Sequence, residues 1–578
     1  MSTKLKDLIF IALMGLCYGA LSTLAFAPFN YPLLAWVALC PLFVGAVKYR
    51  DNIRALVLFG LTSTAFLSLT AFHWIIPSAG KLVGENGWIS GGIFLLFALT
   101  SSVREISLVL LIGFLAREAW QKYLSLSWLS VACVGVLVDG LVPKVIPVSW
   151  GNLITGNVYL VQVVEYTGVL GLAFLLFSVN FFIYQYAATI CRSYRLKHPL
   201  VLSSNTFDSL ALVILFGSLV FGVTRLSDVR AQQAELPTVR IAAIQPDSLL
   251  VENSSLATAR DAVYKLVGDT IPRLIRASSK AAGYRLDMIV LPEAAVPYSS
   301  TNANELTRKW RLYAPPLVDM ITAMAGEQGV SIFFNEPAIV QGTGKPWQSN
   351  GVAVNSTVLF SPDGHRGDSY EKNILFPVGE IIPFAGILEA LHLLERVPQD
   401  VLARQYLPGT KQNVISYGLP KNPLAHSRFL PLVCYEGVFA GHARSFFSSG
   451  DFNPEYIVNL TQDGWFTNTI AIHQHFELVR IRAVETRRAL IRAANTGISA
   501  LIGLDGQVVL PISGPAIAKG HPEGFQVWDV PVQQTEATFY VRHGDGSMLL
   551  LTVSLLMLSA AIRTFRASRK RHGKLMPS

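Results

Sequence analysis

Charge is scarce in this chain: Asp, Glu, Lys and Arg make up 15% of its 578 residues, whereas 51% are hydrophobic and mean hydropathy is +0.42. Soluble domains carry nearer a quarter charged residues, so this composition excludes a protein that is soluble throughout. Cysteine is scarcer still. There are five, and between Arg192 and the C-terminus only Cys434. One thiol cannot form a disulfide within that region, and the absence of CxxC or paired Cys/His spacing leaves no zinc motif. The net charge of +9 is not spread as a nucleic-acid-binding face; its basic residues cluster beside apolar runs, as membrane orientation requires.

What is present in quantity is apolar sequence of bilayer-crossing length. Eight candidate spans lie near 8–26, 32–47, 55–76, 88–116, 124–142, 166–190, 209–225 and 547–562. The second is short. The fourth is long and contains Arg104-Glu105, which reads either as an intramembrane ion pair or as a pair near an interface. Lys4, Lys6, Lys48, Arg50, Arg54, Arg117, Lys122, Arg192, Arg195 and Lys197 fall on one side, against Lys81 and Lys144 on the other. The positive-inside rule then predicts cytoplasmic termini, with the segment between spans seven and eight on the outer face. The basic start followed by an apolar run could be a cleaved signal, but another apolar run follows closely, which favours an uncleaved span. The basic tail reads as a stop-transfer anchor, and nucleic acid is not an expected partner. Three regions result: 1–225 with seven spans, a domain over 226–546, and 547–578 with the eighth span and tail.

From Thr238 the pattern changes to short apolar, β-branched runs. Those at 239–245, 286–293, 330–337, 349–361, 429–436, 454–462 and 489–503 read as strands, and 255–282, 305–328 and 471–487 read as helices. Alternation of this kind predicts an α/β domain, with 226–237 as a polar linker. Ligand and catalytic groups collect at strand ends in such sheets. Three candidates stand there or in a nearby loop: Glu293 after "IVLP", Lys372 in "SYEKNILFPVGEIIPF", and Cys434 in "FLPLVCYEGVF". Individually each has an ordinary explanation: a cap, a solvated lysine, a buried packing thiol. Together a carboxylate, an amine and a thiol suffice for acyl transfer. A thiol with a pKa of about 8.5 needs a base, which Glu293 would supply, and Lys372 would favour the thiolate and the developing oxyanion.

The order Glu, Lys, Cys in these contexts resembles the nitrilase superfamily, which implies an αββα sandwich. With the apolar half added, the chain resembles the bacterial apolipoprotein N-acyltransferase family. The match runs through "AFAPF", "SWGNL", "LPEAAVP", "YEKNILFPVGEIIP", "CYEGVF", "QDGWF", "QHFELVRIRAVETRRALIRAANTGISALI" and "TFYVRHGD". The resemblance implies a multi-pass α-helical membrane domain of about eight spans carrying a nitrilase-like domain in the periplasm. It makes Glu293 the general base, Lys372 the triad lysine and Cys434 the nucleophile. Glu380, Tyr435 and Glu436 become supporting or substrate-binding residues, although Glu436 could equally order a loop through backbone hydrogen bonds. It implies no cofactor and no metal. Its expected partners are a glycerophospholipid acyl donor, a diacylglyceryl apolipoprotein acceptor and the inner-membrane bilayer, and a monomer is expected. Two features depart from the family pattern: the arm after the first strand, "IQPDSLLVENSS", has no tryptophan, and "TQDGWF" differs in its first residues. The segment 384–408 reads as a membrane-dipping lid or as a core helix. A membrane-tethered amidase and a catalytically silent scaffold or transporter are the alternatives.

Overall fold

The structure is a computed structural model. It describes residues 3–572 apart from 83–86, 122–126, 197–205, 249–263, 284, 296–298, 301–314, 341–351, 384, 391, 393–404, 421, 448–452, 467–468 and 513–522. The chain divides into two compact units: 1–73, 92–228 and 538–578 form one, and 74–91 with 229–537 form the other.

The first unit is helical. Among the described residues six helices are long and apolar enough to cross a bilayer, within 4–25, 53–71, 87–115, 160–196, 209–235 and 545–565. Two more apolar segments, Pro32–Lys48 and Trp128–Leu141, occupy the expected second and fifth positions but are shorter. At 1.5 Å per residue the 14-residue helix covers only about 21 Å of a hydrocarbon layer of about 30 Å. Two tight helical turns, Trp150–Ile154 and Leu160–Val163, follow it. The Leu160–Leu196 segment is the centre of the unit, with 72% of its most apolar stretch buried against 11% for the last helix. Gly168 breaks its regularity with a φ of +60° and makes room for Tyr540, whose ring carbon lies 2.3 Å from where a Cβ would stand. The outward leucines, among them Leu13, Leu95, Leu99 and Leu558, are exposed in the isolated chain, as side chains solvated by lipid must be.

Arg104 and Glu105 belong to a buried polar cluster rather than standing as an isolated pair. Arg104 Nη2 meets Glu105 Oε1 at 2.7 Å, and Nη1 donates to the Val148 carbonyl at 2.8 Å. Tyr18 and Thr64 also donate to Glu105. Asp139, 3.8 Å from Arg104, accepts from Lys144, Ser149 and the Trp150 amide. Two cations meet two anions here, as burial of charge demands.

The second unit is a two-sheet sandwich covered by helices, an αββα arrangement. Its strands are β1 (Thr238–Gln245), β2 (Met288–Val290), β3 (Ser331–Val340), β4 (Val352–Phe360), β5 (Arg366–Glu371), β6 (Tyr406–Leu407), β7 (Ile415–Leu419), β8 (Asn422–Val433), β9 (Tyr456–Thr461), β10 (Leu490–Ala494), β11 (Ala500–Ile502), β12 (Val508–Pro511) and β13 (Gly524–Pro531). One sheet runs β13-β1-β2-β3-β4-β5, with β6 also pairing β4; the other runs β12-β11-β10-β9-β8-β7. Strands β1, β2 and β3 are parallel, as are β8, β9 and β10. Period-two alternation explains the apolar runs. In β3, Ile332 and Phe334 join Leu274, Ile275, Leu317 and Ile321 under the covering helices. Between them, Phe333 turns to the other sheet, its ring 4.8 Å from that of Phe429.

Several elements differ from the sequence expectation. Residues 226–235 are not a linker: the helix Thr206–Glu235 runs through them. Their Ala, Gln and Arg residues favour helix, and Arg230 and Gln233 fasten it to Asp505 and the Leu504 amide. The run 489–503 is two antiparallel strands, because Gly497, at φ +117°, reverses the chain. Strand β8 stops at Val433, three residues before the expected end. Strands β5, β6, β7, β12 and β13 had no counterpart in the expected list. The lid segment lies mostly, and the arm after β1 largely, outside the described residues.

Candidate active site

Three strand ends converge between the sheets. Glu293 follows β2 after the turn at Pro292. Lys372 directly follows β5, its amide donating to the Asn355 carbonyl of β4 at 2.7 Å, so it prolongs a strand rather than occupying a loop. Cys434 opens the tight turn Cys434–Val438 that ends β8. It adopts a φ of +50°, a left-handed conformation costing a β-carbon residue roughly 1 kcal/mol or more, which survives only where surrounding structure imposes it.

The geometry centres on Lys372 Nζ, which donates to Glu293 Oε1 at 3.1 Å and to the Glu380 carboxylate at 2.9 Å. Asn355 Nδ2 repeats that bridge, at 3.0 and 2.9 Å. Glu293 Oε2 accepts the Gln462 amide from the opposite sheet at 3.0 Å, and Glu380 accepts the Phe376 amide at 2.7 Å. Two carboxylates therefore share one ammonium. Burial, supported by the neighbouring Glu380 charge, raises the pKa of Glu293 despite the opposing pull of Lys372. Burial alone would lower that of Lys372, but the Glu293 and Glu380 charges outweigh it and hold the ammonium protonated. Burial also pushes up the Cys434 thiol, with Glu293 adding to the rise and Lys372 opposing it. Such a thiol remains protonated near neutrality until a base removes its proton. The three groups interact electrostatically, Cys434 being only 8% exposed.

Glu436 is buried and accepts four hydrogen bonds. Its Oε1 takes Tyr370 Oη at 2.7 Å and the Asn373 and Ile374 amides at 2.6 and 3.1 Å; its Oε2 takes the Val433 amide at 2.8 Å. Burial would raise its pKa, but His442, Tyr370 and the amides hold it below the ordinary value. The loop-ordering explanation thus describes its bonds: it ties the segment after Lys372 to the turn bearing Cys434. The Tyr435 ring lies 5.2 Å from that of Phe376 and 4.9 Å from that of Phe439. Phe466 continues the row 6.2 Å beyond Phe376, and Trp74 follows at 5.2 Å. Trp74 also donates Nε1 to Gln474 Oε1 at 3.0 Å.

All six candidates lie in this one region. Sequence reasoning missed Asn355, Gln462 and Trp74. Asn355 had a usable signal, an amide in the middle of the apolar β4, whereas Gln462 acts through its main chain.

Two family models match: the apolipoprotein N-acyltransferase N-terminal domain over residues 18–182 and carbon-nitrogen hydrolase over 240–529. Apolipoprotein N-acyltransferase 2 of Leptospira interrogans (strain Fiocruz L1-130) is 30% identical over 609 residues, covering 96% of this chain and 97% of the relative. The chain belongs to the apolipoprotein N-acyltransferase family. Within it, the Bradyrhizobium diazoefficiens apolipoprotein N-acyltransferase is 26% identical, with 97% and 96% coverage. Among solved structures, an amidase from Nesterenkonia sp. is similar at 16% identity and a TM-score of 0.32, covering 54% of this chain and 95% of its own. Saccharomyces cerevisiae Nit3 is similar at 17% and 0.34, covering 51% and 91%. As a member of the apolipoprotein N-acyltransferase family, the chain is a multi-pass membrane acyltransferase with a nitrilase-fold domain.

Proposed function

We propose that the chain acylates lipoproteins through a thioester on Cys434. The observation that carries this reading is the Glu293–Lys372–Glu380 cluster beside a strained, buried thiol. Glu293 takes the thiol proton, and Sγ attacks the ester carbonyl of a glycerophospholipid. The resulting oxyanion is stabilised by the Lys372 ammonium. Collapse breaks the C–O bond, Glu293 returns its proton to the leaving oxygen, and lysophospholipid departs. The α-amine of a diacylglyceryl-cysteine then attacks the thioester carbonyl. The C–S bond breaks, the amine proton passes to Glu293 and on to the thiolate, and the thiol is restored. Tyr435 lines the approach, Glu380 tunes Glu293, and Glu436 fixes the thiol turn.

Both substrates are lipids, which favours a site held at the bilayer: extracting an acyl chain into water costs about 0.8 kcal/mol per CH₂. The charge bias of the spans supports an inner-membrane protein with cytoplasmic termini and a periplasmic catalytic domain. On this reading 1–225 and 547–578 are the membrane regions, 226–546 is the catalytic domain, and the enzyme acts as a monomer without cofactor.

The test is mass spectrometry of the Cys434 peptide after incubation of detergent-solubilised protein with phosphatidylethanolamine. An acyl mass on Cys434, absent from Glu293→Ala and lost on adding a diacylglyceryl peptide, is expected. Full lipoprotein N-acylation by Cys434→Ala would end the proposal.

A further inference from the structure

Beside Glu293 lies a pair of side-chain amides that the proposed mechanism does not use. Asn335 is in β3, and period-two alternation puts it with Phe333 on the face between the sheets. It stands opposite Thr357 of β4, and Asn355, two residues before Thr357, shares that face. Both amides are buried. Asn335 Oδ1 accepts the main-chain N–H of Ala294, the residue after Glu293, at 3.0 Å. Its Nδ2 donates to the Ser356 carbonyl at 2.8 Å and to Asn355 Oδ1. Asn355 Nδ2 in turn donates to Glu293 Oε1 at 3.0 Å and to Glu380 Oε1 at 2.9 Å. Every hydrogen of the two NH₂ groups is thereby used.

A side-chain amide is nearly symmetric in shape, and a half-turn exchanges its oxygen and nitrogen ends. Main-chain groups have no such freedom: an N–H only donates and a carbonyl only accepts. The Ala294 N–H and the Ser356 carbonyl therefore fix which end of Asn335 is oxygen. Asn335 then presents nitrogen to Asn355, which must answer with oxygen, and this turns the Asn355 NH₂ toward the two carboxylates. Reversed, Asn355 would set a carbonyl oxygen against both carboxylates and leave its NH₂ facing another NH₂. We infer that Asn335 is a positioning residue for Glu293: by fixing the direction of the Asn355 amide, it determines that a donor rather than an acceptor faces the carboxylate. The inference rests on the reading of Glu293 as general base. It assigns Asn335 no contact with substrate and no proton of the reaction.

A hydrogen bond to a carboxylate favours its ionised form, so losing the donor raises the pKa. Full-length protein in detergent is compared as wild type, Asn335→Leu, Asn355→Leu and the double variant. Leucine keeps the branched shape of asparagine and makes none of its hydrogen bonds. Single-turnover formation of the Cys434 acyl adduct and iodoacetamide labelling of Cys434 are followed from pH 4 to 9, and KM is read beside kcat. Asn335→Leu is expected to move the acid limb of both reactions up by about one pH unit, with KM unchanged. Asn355→Leu should move it the same way, and adding Asn335→Leu to that variant should move it no further, because the effect passes through Asn355. If Asn335→Leu does not fold, Asn335→Thr carries the same test: it suits a strand, and its hydroxyl stops one bond short of the amide nitrogen. An acid limb that stays in place in the folded Asn335 variant, or shifts that add in the double variant, would overturn the inference. If wild type labels at Cys434 but forms no lipid adduct, while the Asn335 variant still moves the acid limb of labelling, the acyl-transfer reading falls and the positioning role stands.

Discussion

Replacing Glu380 by Gln tests how the site sets the strength of its base. Glu293 and Glu380 accept from the same Lys372 nitrogen at 3.1 and 2.9 Å, so their oxygens are at most about 6 Å apart. At an effective dielectric of about 20, two charges at that separation repel by about 2.8 kcal/mol, or about two pKa units. Glu380 is therefore one reason the Glu293 pKa lies above its ordinary 4.5, second to burial and opposed by Lys372. The sign follows directly. In the proposed mechanism the ionised carboxylate is the working form, so a raised pKa moves the acid limb of the rate profile to higher pH. Glu380→Gln removes the repelling charge and frees Lys372 to pair with Glu293 alone. The acid limb of adduct formation should move to lower pH by one to two units, on the scale of that repulsion. The weaker base should also lower the plateau about tenfold. The assay is single-turnover formation of the Cys434 adduct between pH 4 and 9, with binding checked separately. An acid limb that stays in place or moves upward would refute the shared-lysine account.

Two further substitutions probe the support of the thiol turn. Glu436→Gln sets an amide against donors that all point at a carboxylate and should cost about 3 kcal/mol, read as a lowered melting temperature. Because its folded pKa lies below the ordinary 4.5, its contribution is complete above about pH 4.5 and is lost as pH falls through the folded value, so the variant should show less acid destabilisation than wild type. At Gly437 a Cβ would stand 2.9 Å from Val479 Cγ2, so Gly437→Ala should push the turn off its helix and slow adduct formation several-fold. Adding Val479→Ala should restore the rate; no recovery would place the effect elsewhere.

The apolar strands leading into Glu293 and Cys434 made both visible, because a polar residue ending a buried run has few structural reasons to be there. Lys372 was harder to place. Strand β5, "RGDSYE", is an edge strand with its first residues exposed, so it lacks the apolar pattern that announces a strand. Strand β13 was hidden differently: it alternates as "GFQVWDVP" but belongs beside β1, almost three hundred residues earlier, and periodicity cannot name a distant partner. The Glu436 network was illegible for the same reason. Three of its four donors, the Tyr370 hydroxyl and the Asn373 and Ile374 amides, lie in or just after β5 of the other sheet, brought close only by the packing of the two sheets. The αββα layering followed from the alternation of strands and helices together with the family resemblance, whereas the polar run 226–235 misled because helix propensity, not polarity, decided it.

Gln462 places its amide on a carboxylate belonging to the opposite sheet. The proposed general base is thereby hinged to both halves of the sandwich, and the thiol it would serve belongs to only one. A sliding motion of one layer over the other would part proton donor from acceptor well before either layer lost a strand. Chemical competence in such a domain measures the alignment of its layers, and on warming it should disappear ahead of the loss of secondary structure.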